Sequence, residues 1–171
     1  MRIAVAGTHR TGKSTLIEAL ATRLPSYVTV DEPYYALEEE GREFADPPSA
    51  EDYEQQLQRS LEMIGDAPAK AILDRCPLDF VAYLRATGAH FEIDDWFERL
   101  RDAMQEIDLV VVTRIEVAVP VGAHEDRELR AAVDEQIEAL VLDDALGLVG
   151  DTLEVSGTIE QRVAQVLQRL V

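Results

Sequence analysis

Between the apolar run Arg2–Ala6 and the first helical pattern of the chain lies Gly7-Thr8-His9-Arg10-Thr11-Gly12-Lys13-Ser14, and no other segment constrains the fold as much. The spacing Gly-x-x-x-x-Gly-Lys-Ser suits a loop that wraps its backbone around phosphate oxygens. Glycine permits the sharp turn and the close backbone approach, while successive N–H groups make a concavity for an anion. A helix starting at Gly12 or Lys13 aims its unpaired N–H groups and the positive end of its dipole at the same point. Lys13 then reaches the β and γ phosphates of a nucleotide, and the Ser14 hydroxyl ligates Mg2+. His9 and Arg10 fill the variable positions, Arg10 adding positive potential at the phosphate edge, and Thr8, Thr11 and Thr15 complete the cradle. The other reading of this segment is a glycine-rich strand-to-helix turn with no ligand.

Such a loop requires a strand before it and a helix after it, and the rest of the chain continues that alternation. Strand patterns fall at Arg2–Ala6, Tyr27–Asp31, Ala69–Asp74, Leu109–Thr113 and Thr152–Val155, with helical patterns between them. Helices are expected over Lys13–Leu24, Tyr34–Phe44, Ser49 (as cap) to Ile64, Leu78–Ala86, Asp94–Glu106, Asp126–Leu142 and Thr158–Leu170. Tyr53, Leu57, Leu61 and Ile64 form an apolar stripe at spacings of four and three. Apolar strands alternating with helices indicate an α/β fold, a three-layer, doubly wound five-stranded parallel sheet. At 171 residues and 47% hydrophobic content the chain suits one domain, 1–171, with a small helical lid at about 114–134.

Charge narrows the partners. With 34 Asp and Glu against 16 Lys and Arg, the formal charge is −18, which repels nucleic acid and anionic membrane surfaces alike. A small phosphorylated ligand needs only a local positive pocket. Of the 16 basic residues only Lys13 and Lys70 are lysines, and one of them sits in the phosphate loop. Cys76 is the single cysteine, so neither an internal disulfide nor a cysteine zinc site can form. Without a signal-peptide layout or a long apolar run, a cytoplasmic location is expected.

In doubly wound sheets ligands bind beyond the carboxyl ends of the strands. Those ends carry Asp31-Glu32-Pro33 and Asp74-Arg75-Cys76-Pro77. Asp74 closes an apolar run and is placed to hold Mg2+ directly or through water. Arg75 is placed to stabilise a phosphoryl group in transit, and Glu32 to take a proton from an attacking hydroxyl. The competing readings are a surface ion pair with a helix-capping carboxylate for Asp74-Arg75, and a turn residue for Glu32, with Asp31 as the rival carboxylate. Arg127 and Arg130 share a helix face and suit a lid over phosphate oxygens, with Pro120 and Gly122 as a hinge; a solvated charged face is the alternative. Tyr34, Tyr35, Tyr53 and Phe80 can stack on an aromatic acceptor or simply pack. Trp96 and Phe97 belong either to the core or to a dimer surface.

The loop Gly7 to Ser14, Asp31-Glu32-Pro33, the stretch Ile72 to Asp79 running on to Ala82-Tyr83, the Arg127–Arg130 helix and Ser156 to Arg162 together resemble the small nucleoside-kinase-like P-loop proteins. That group includes deoxynucleoside kinases and the nicotinamide-riboside-kinase-type AAA domains of bacterial NAD metabolism. The resemblance implies a five-stranded parallel sheet and ATP-dependent phosphorylation of a small, nucleoside- or riboside-like hydroxyl compound. It implies Glu32 as base, Arg75 as phosphate-stabilising arginine, Arg127 or Arg130 as lid arginine, and Gly157 in a loop bordering the purine. The chain departs from it at Glu125-Asp126-Arg127, where a glycine usually precedes the arginine. Two other readings remain: a P-loop NTPase with no small-molecule acceptor, and a nucleotide-binding module with little turnover. No Asn-Lys-x-Asp segment supports guanine selectivity.

Overall fold

Why the strands are apolar at almost every position becomes plain once both faces of the sheet are covered. In the computed structural model, which describes residues 1–116 and 127–170, five parallel strands lie in the order β2-β3-β1-β4-β5. They are β1 (Arg2–Ala6), β2 (Val28–Val30), β3 (Ala71–Asp74), β4 (Leu109–Thr113) and β5 (Thr152–Val155). The helices are α1 (Lys13–Arg23), α2 (Pro33–Glu39), α3 (Ala50–Asp66), α4 (Pro77–Ala86), α5 (Phe97–Gln105), α6 (Arg127–Ile137) and α7 (Ile159–Arg169). Along β1 and β4 successive side chains alternate between two cores. Ile3, Val5, Leu109 and Val111 pack on α1 and α7, whereas Ala4, Ala6, Val110 and Val112 face α3 to α6. α4 lies deep in that second layer, with every residue from Pro77 to Leu84 buried.

Central β1 pairs with β3 on one side and β4 on the other, and the order in which successive strands are laid down reverses there, so the crevice beyond its carboxyl end is the topological switch point. The phosphate loop leaves β1 there.

Strand and helix order match the sequence expectation, and the differences lie at element ends. The helix expected over Tyr34–Phe44 stops at Glu39, because Gly41 takes φ 90° and closes a Schellman turn. The Gly41 N–H donates to the Glu38 carbonyl and the Arg42 N–H to that of Leu37, both at 2.9 Å. The helix expected over Asp94–Glu106 divides into a 3-10 turn, Ile93–Asp95, and α5, with Trp96 as the joint. Trp96 and Phe97 are half-buried against the core rather than displayed. The last turns before Leu142 widen into a π-helical segment, Glu138–Leu142. Ser49 caps α3 as expected, with its hydroxyl accepting from the Asp52 N–H. The proposed hinge at Pro120 and Gly122, together with Glu125 and Asp126, lies outside the described residues.

Gly7, at the end of β1, has φ 152°, and a Cβ there would stand 2.4 Å from Thr113 Oγ1 and 2.5 Å from the Thr113 carbonyl oxygen. Gly7→Ala should therefore lower stability by about 2–4 kcal/mol, read as a fall in the thermal unfolding midpoint. An unchanged midpoint would show that β1 and β4 can separate at their ends without cost.

Candidate phosphate and acceptor site

A loop whose N–H groups face an anion must send its carbonyls the other way, and each of those carbonyls needs a donor. Four cationic side chains meet that need. Arg75 Nη1 donates to the Gly7 carbonyl at 3.0 Å, and Lys13 Nζ to that of Thr8 at 2.8 Å. Arg130 donates to the carbonyls of His9 (3.1 Å) and Arg10 (3.2 Å), and Arg162 to that of Thr11 (2.7 Å). The Gly12 carbonyl accepts from the Leu16 N–H as the first turn of α1. Hydroxyls complete the frame: Thr11 Oγ1 donates to the Thr8 carbonyl and lies 2.7 Å from Thr113 Oγ1. Gly12 adopts φ 88°, which swings the chain into α1 and leaves Ser14 and Thr15 exposed at its mouth.

The ends of β2 and β3 bring their polar residues to the same crevice. Arg75 is buried and has φ 77°, a left-handed conformation that a non-glycine residue holds only when its surroundings enforce it. Its N–H donates to the Val5 carbonyl, its Nε to Glu32 Oε1 at 2.5 Å, and its guanidinium lies over the Tyr83 ring. Asp79, fully buried on α4, accepts from the Gly7 N–H at 2.9 Å and the Cys76 N–H at 3.0 Å. One carboxylate thus ties the start of the phosphate loop to the start of α4. Glu32 faces the crevice, whereas Asp31 is exposed, which separates the two rival carboxylates.

Burial lowers the Lys13 pKa to about 8, and neighbouring Arg75 acts in the same direction, while Asp79, Asp74 and Glu32 oppose the shift. Burial also raises Asp74 to about 6, followed by repulsion from Glu32, with Lys13 and Arg75 pulling down. Arg75 loses basicity through burial but recovers more from Glu32, Tyr83 and Asp79, and is held above its ordinary value. The buried Asp74 Oδ1 has no hydrogen-bond partner among the described residues. A buried carboxylate oxygen without a donor, within electrostatic reach of Lys13 and Glu32, is chemically suited to a hard divalent cation such as Mg2+.

A cavity of about 800 Å3 opens beside the loop, between α2, α3, α4 and α6. Glu32, Arg75 and His9 stand on its floor, and Tyr34, Tyr53, Phe80 and Tyr83 on its walls. Tyr53 and Tyr83 are stacked 4.9 Å apart, and the Tyr83 hydroxyl accepts from the His9 N–H at 3.2 Å. Tyr35 is exposed and stays outside the cavity lining. A second pocket of about 240 Å3 lies on the far side of the loop, where Gly157 and Thr11 meet Arg10, Arg114, Arg130 and Arg162.

The site therefore gathers Gly7 to Thr15, Glu32, Asp74 and Arg75 into one crevice, with Gly157 at its edge. Arg130 is buried against the loop backbone, while Arg127 is exposed at the start of α6. Asp79, Tyr83, Thr113 and Arg162 were given no role from sequence. Asp79 had a readable signal in its spacing of four from Arg75 on a helix start; Arg162 and Thr113 had none, since both act across the fold.

A family model described as an AAA domain matches residues 2–162. No curated protein matches the chain. Among solved structures, NadR protein in complex with NAD and AMP-PNP is 19% identical with a TM-score of 0.64. The match covers 98% of this chain and 48% of that one, so this chain spans about half of NadR. Deoxyadenosine kinase from M. mycoides with bound dATP is 14% identical, with a TM-score of 0.67 and 99% of each chain covered. Shikimate kinase from Aquifex aeolicus vf5 is 16% identical, with a TM-score of 0.61 and coverage of 99% of this chain and 96% of that one. At these identities the likeness establishes the fold, and the family match covers nearly the whole chain. The chain belongs to the AAA domain family and has the α/β fold of P-loop kinases.

Proposed function

We propose that the chain is an ATP-dependent phosphotransferase acting on a small hydroxyl-bearing metabolite, nucleoside- or riboside-like, through Mg-ATP held by the loop Gly7 to Thr15. The observation that carries this reading is the Glu32–Arg75 pair on the floor of the 800 Å3 cavity, next to the phosphate loop. A plain NTPase needs space for one water, whereas this cavity is of the size that takes a small organic ligand. The kinase names of the solved structures with this fold support the same reading.

Each residue then has a task. The loop N–H groups cradle the phosphates, and Lys13, freed from the Thr8 carbonyl, donates to the oxygens nearest the transferred group. Ser14 and Asp74 would hold the Mg2+ that accompanies ATP, whose chemistry is to neutralise phosphate oxygens. Glu32 accepts the proton of the acceptor hydroxyl as that oxygen bonds to the γ-phosphorus and the bond to the β-bridging oxygen breaks. Arg75 offsets the charge shared by the moving phosphoryl group. Gly157 borders the donor base, exposed Arg127 is the lid arginine, and buried Arg130 braces the loop from behind. The segment 114–134 serves as the lid of a single domain.

ATP consumption should rise when one member of a nucleoside, nucleotide and riboside panel is added, and Glu32→Gln should reduce that rise by about 10²-fold or more in a folded protein. Turnover indifferent to every acceptor would instead favour hydrolysis without an acceptor.

The Asp74 pKa of about 6 exceeds its ordinary value of 3.8, so between these pH values the folded protein keeps a proton that the unfolded chain has lost. Stability therefore falls as pH rises through that window, and a penalty of at most about 3 kcal/mol persists above it. Asp74→Asn should raise the unfolding midpoint at neutral pH and flatten its pH dependence in the window, while abolishing magnesium-dependent turnover. A lower midpoint at neutral pH would contradict this account of Asp74.

A further inference from the structure

The Tyr83 hydroxyl meets the phosphate loop twice at one residue. It accepts from the His9 N–H at 3.2 Å, and it lies 3.2 Å from Nδ1 of the His9 ring. A phenol oxygen has two lone pairs and a single proton to give. The backbone N–H fills one lone pair, and among the described residues Nδ1 is the one acceptor within reach of the proton. If Nδ1 carried a proton itself, the phenol proton would be left without an acceptor, which is costly for a residue 5% exposed. Every group is satisfied when the hydroxyl donates to Nδ1, and the proton of the neutral imidazole then sits on Nε2.

Both partners are held firmly. Tyr83 lies on buried α4, its ring stacked on Tyr53 with 17° between the planes and covered by the Arg75 guanidinium at 5.4 Å. The His9 carbonyl is held from the other side by Arg130 Nε at 3.1 Å. The His9 ring lines the 800 Å3 cavity together with Glu32 and Arg75, where the phosphate loop borders the acceptor space.

From this accounting we infer that Tyr83 is a positioning residue that fixes His9 as the Nε2–H tautomer, and that His9 in this form donates to the phosphoryl group as it leaves the loop for the cavity. This rests on the phosphotransferase reading above and adds a residue pair to it. A donor set in the right tautomer beforehand needs no rearrangement as charge moves onto the phosphoryl oxygens. A neutral ring also supplies that donor without adding positive charge beside Arg75 and Arg130. The carboxylates of Glu32, Asp46 and Glu128 line the same cavity and favour a protonated ring, but protonation would cost the Tyr83 hydroxyl its acceptor.

Two measurements on the full chain test the pair. Nitrogen–proton correlation spectra of isotopically labelled imidazoles distinguish Nε2–H, Nδ1–H and doubly protonated rings. The chain has three histidines, and the signals lost in His9→Gln identify His9. At about pH 8, where a histidine of ordinary basicity is neutral, His9 should be the Nε2–H tautomer. Tyr83→Phe keeps the aromatic ring and should leave a mixture of tautomers. An Nδ1–H or doubly protonated His9 in the wild-type chain, or a tautomer unchanged in Tyr83→Phe, would overturn the inference. The second measurement is turnover with whichever acceptor raises ATP consumption. His9→Gln, whose amide N–H reaches the place of Nε2, should stay within a few-fold of wild-type kcat. His9→Asn, which matches Nδ1 alone, should lose about 10²-fold while binding a non-hydrolysable ATP analogue about as well. Equal kcat in the two variants would remove the donor role and leave the kinase reading intact. If no acceptor raises ATP consumption, the kinase reading fails and the donor role falls with it, whereas the spectra still decide whether Tyr83 sets the ring.

Discussion

Everything at the site depends on how the carbonyls of the phosphate loop are satisfied. A backbone can point several N–H groups at one anion only if the paired carbonyls find donors behind it, and an unmet buried carbonyl costs about 1–3 kcal/mol. Here those donors are Arg75 from the turn between β3 and α4, Arg130 from α6 and Arg162 from α7, with Lys13 of α1 holding the Thr8 carbonyl in the resting protein. The loop is thus braced by elements on both faces of the sheet, and its shape is a property of the whole fold. Preorganised donors need no rearrangement when the phosphates arrive, which is what makes such dipoles effective.

The same bracing explains the strain and the burial of charge around the loop. Arg75 tolerates a left-handed backbone because Val5, Gly7, Glu32 and Asp79 hold it on several sides. Burial is the largest cause at both Lys13, which is less basic than usual, and Asp74, which is less acidic, and it outweighs the opposite charges beside them. Each of these departures weakens the resting protein, and under the proposed function phosphate would relieve the first and a divalent cation the second. Function and stability are opposed at these positions, and the apolar two-sided sheet supplies the margin.

Much of this was legible in the sequence where cause and effect are local. The five strands, the loop between β1 and α1 and the Ser49 cap all follow from short-range chemistry, and they lie where their residues predict. Glu32 and Asp31 could not be told apart by position beforehand, because a strand end can turn either way; the ion pair with Arg75, 43 residues along the chain, draws Glu32 into the crevice. Arg130 had the signature of a lid residue, yet it is buried beneath the loop, in contact with residues 120 and 121 positions away. Arg162 and Thr113 had no signature at all, since their partners are set by the packing of α7 and β4 against the loop. The early end of α2 was readable in Gly41, whose freedom to adopt positive φ closes the helix.

If the braced carbonyls set the loop for phosphate, removing the braces must weaken its binding. Titration calorimetry of Mg-ATP against the wild-type chain and against Arg130→Ala and Arg162→Ala, in variants shown to be folded, measures this directly. The account predicts that each substitution lowers affinity by about tenfold or more, the equivalent of about 1.4 kcal/mol. Wild-type affinity in both folded variants would contradict it, and would mean that the loop holds its shape without its arginines.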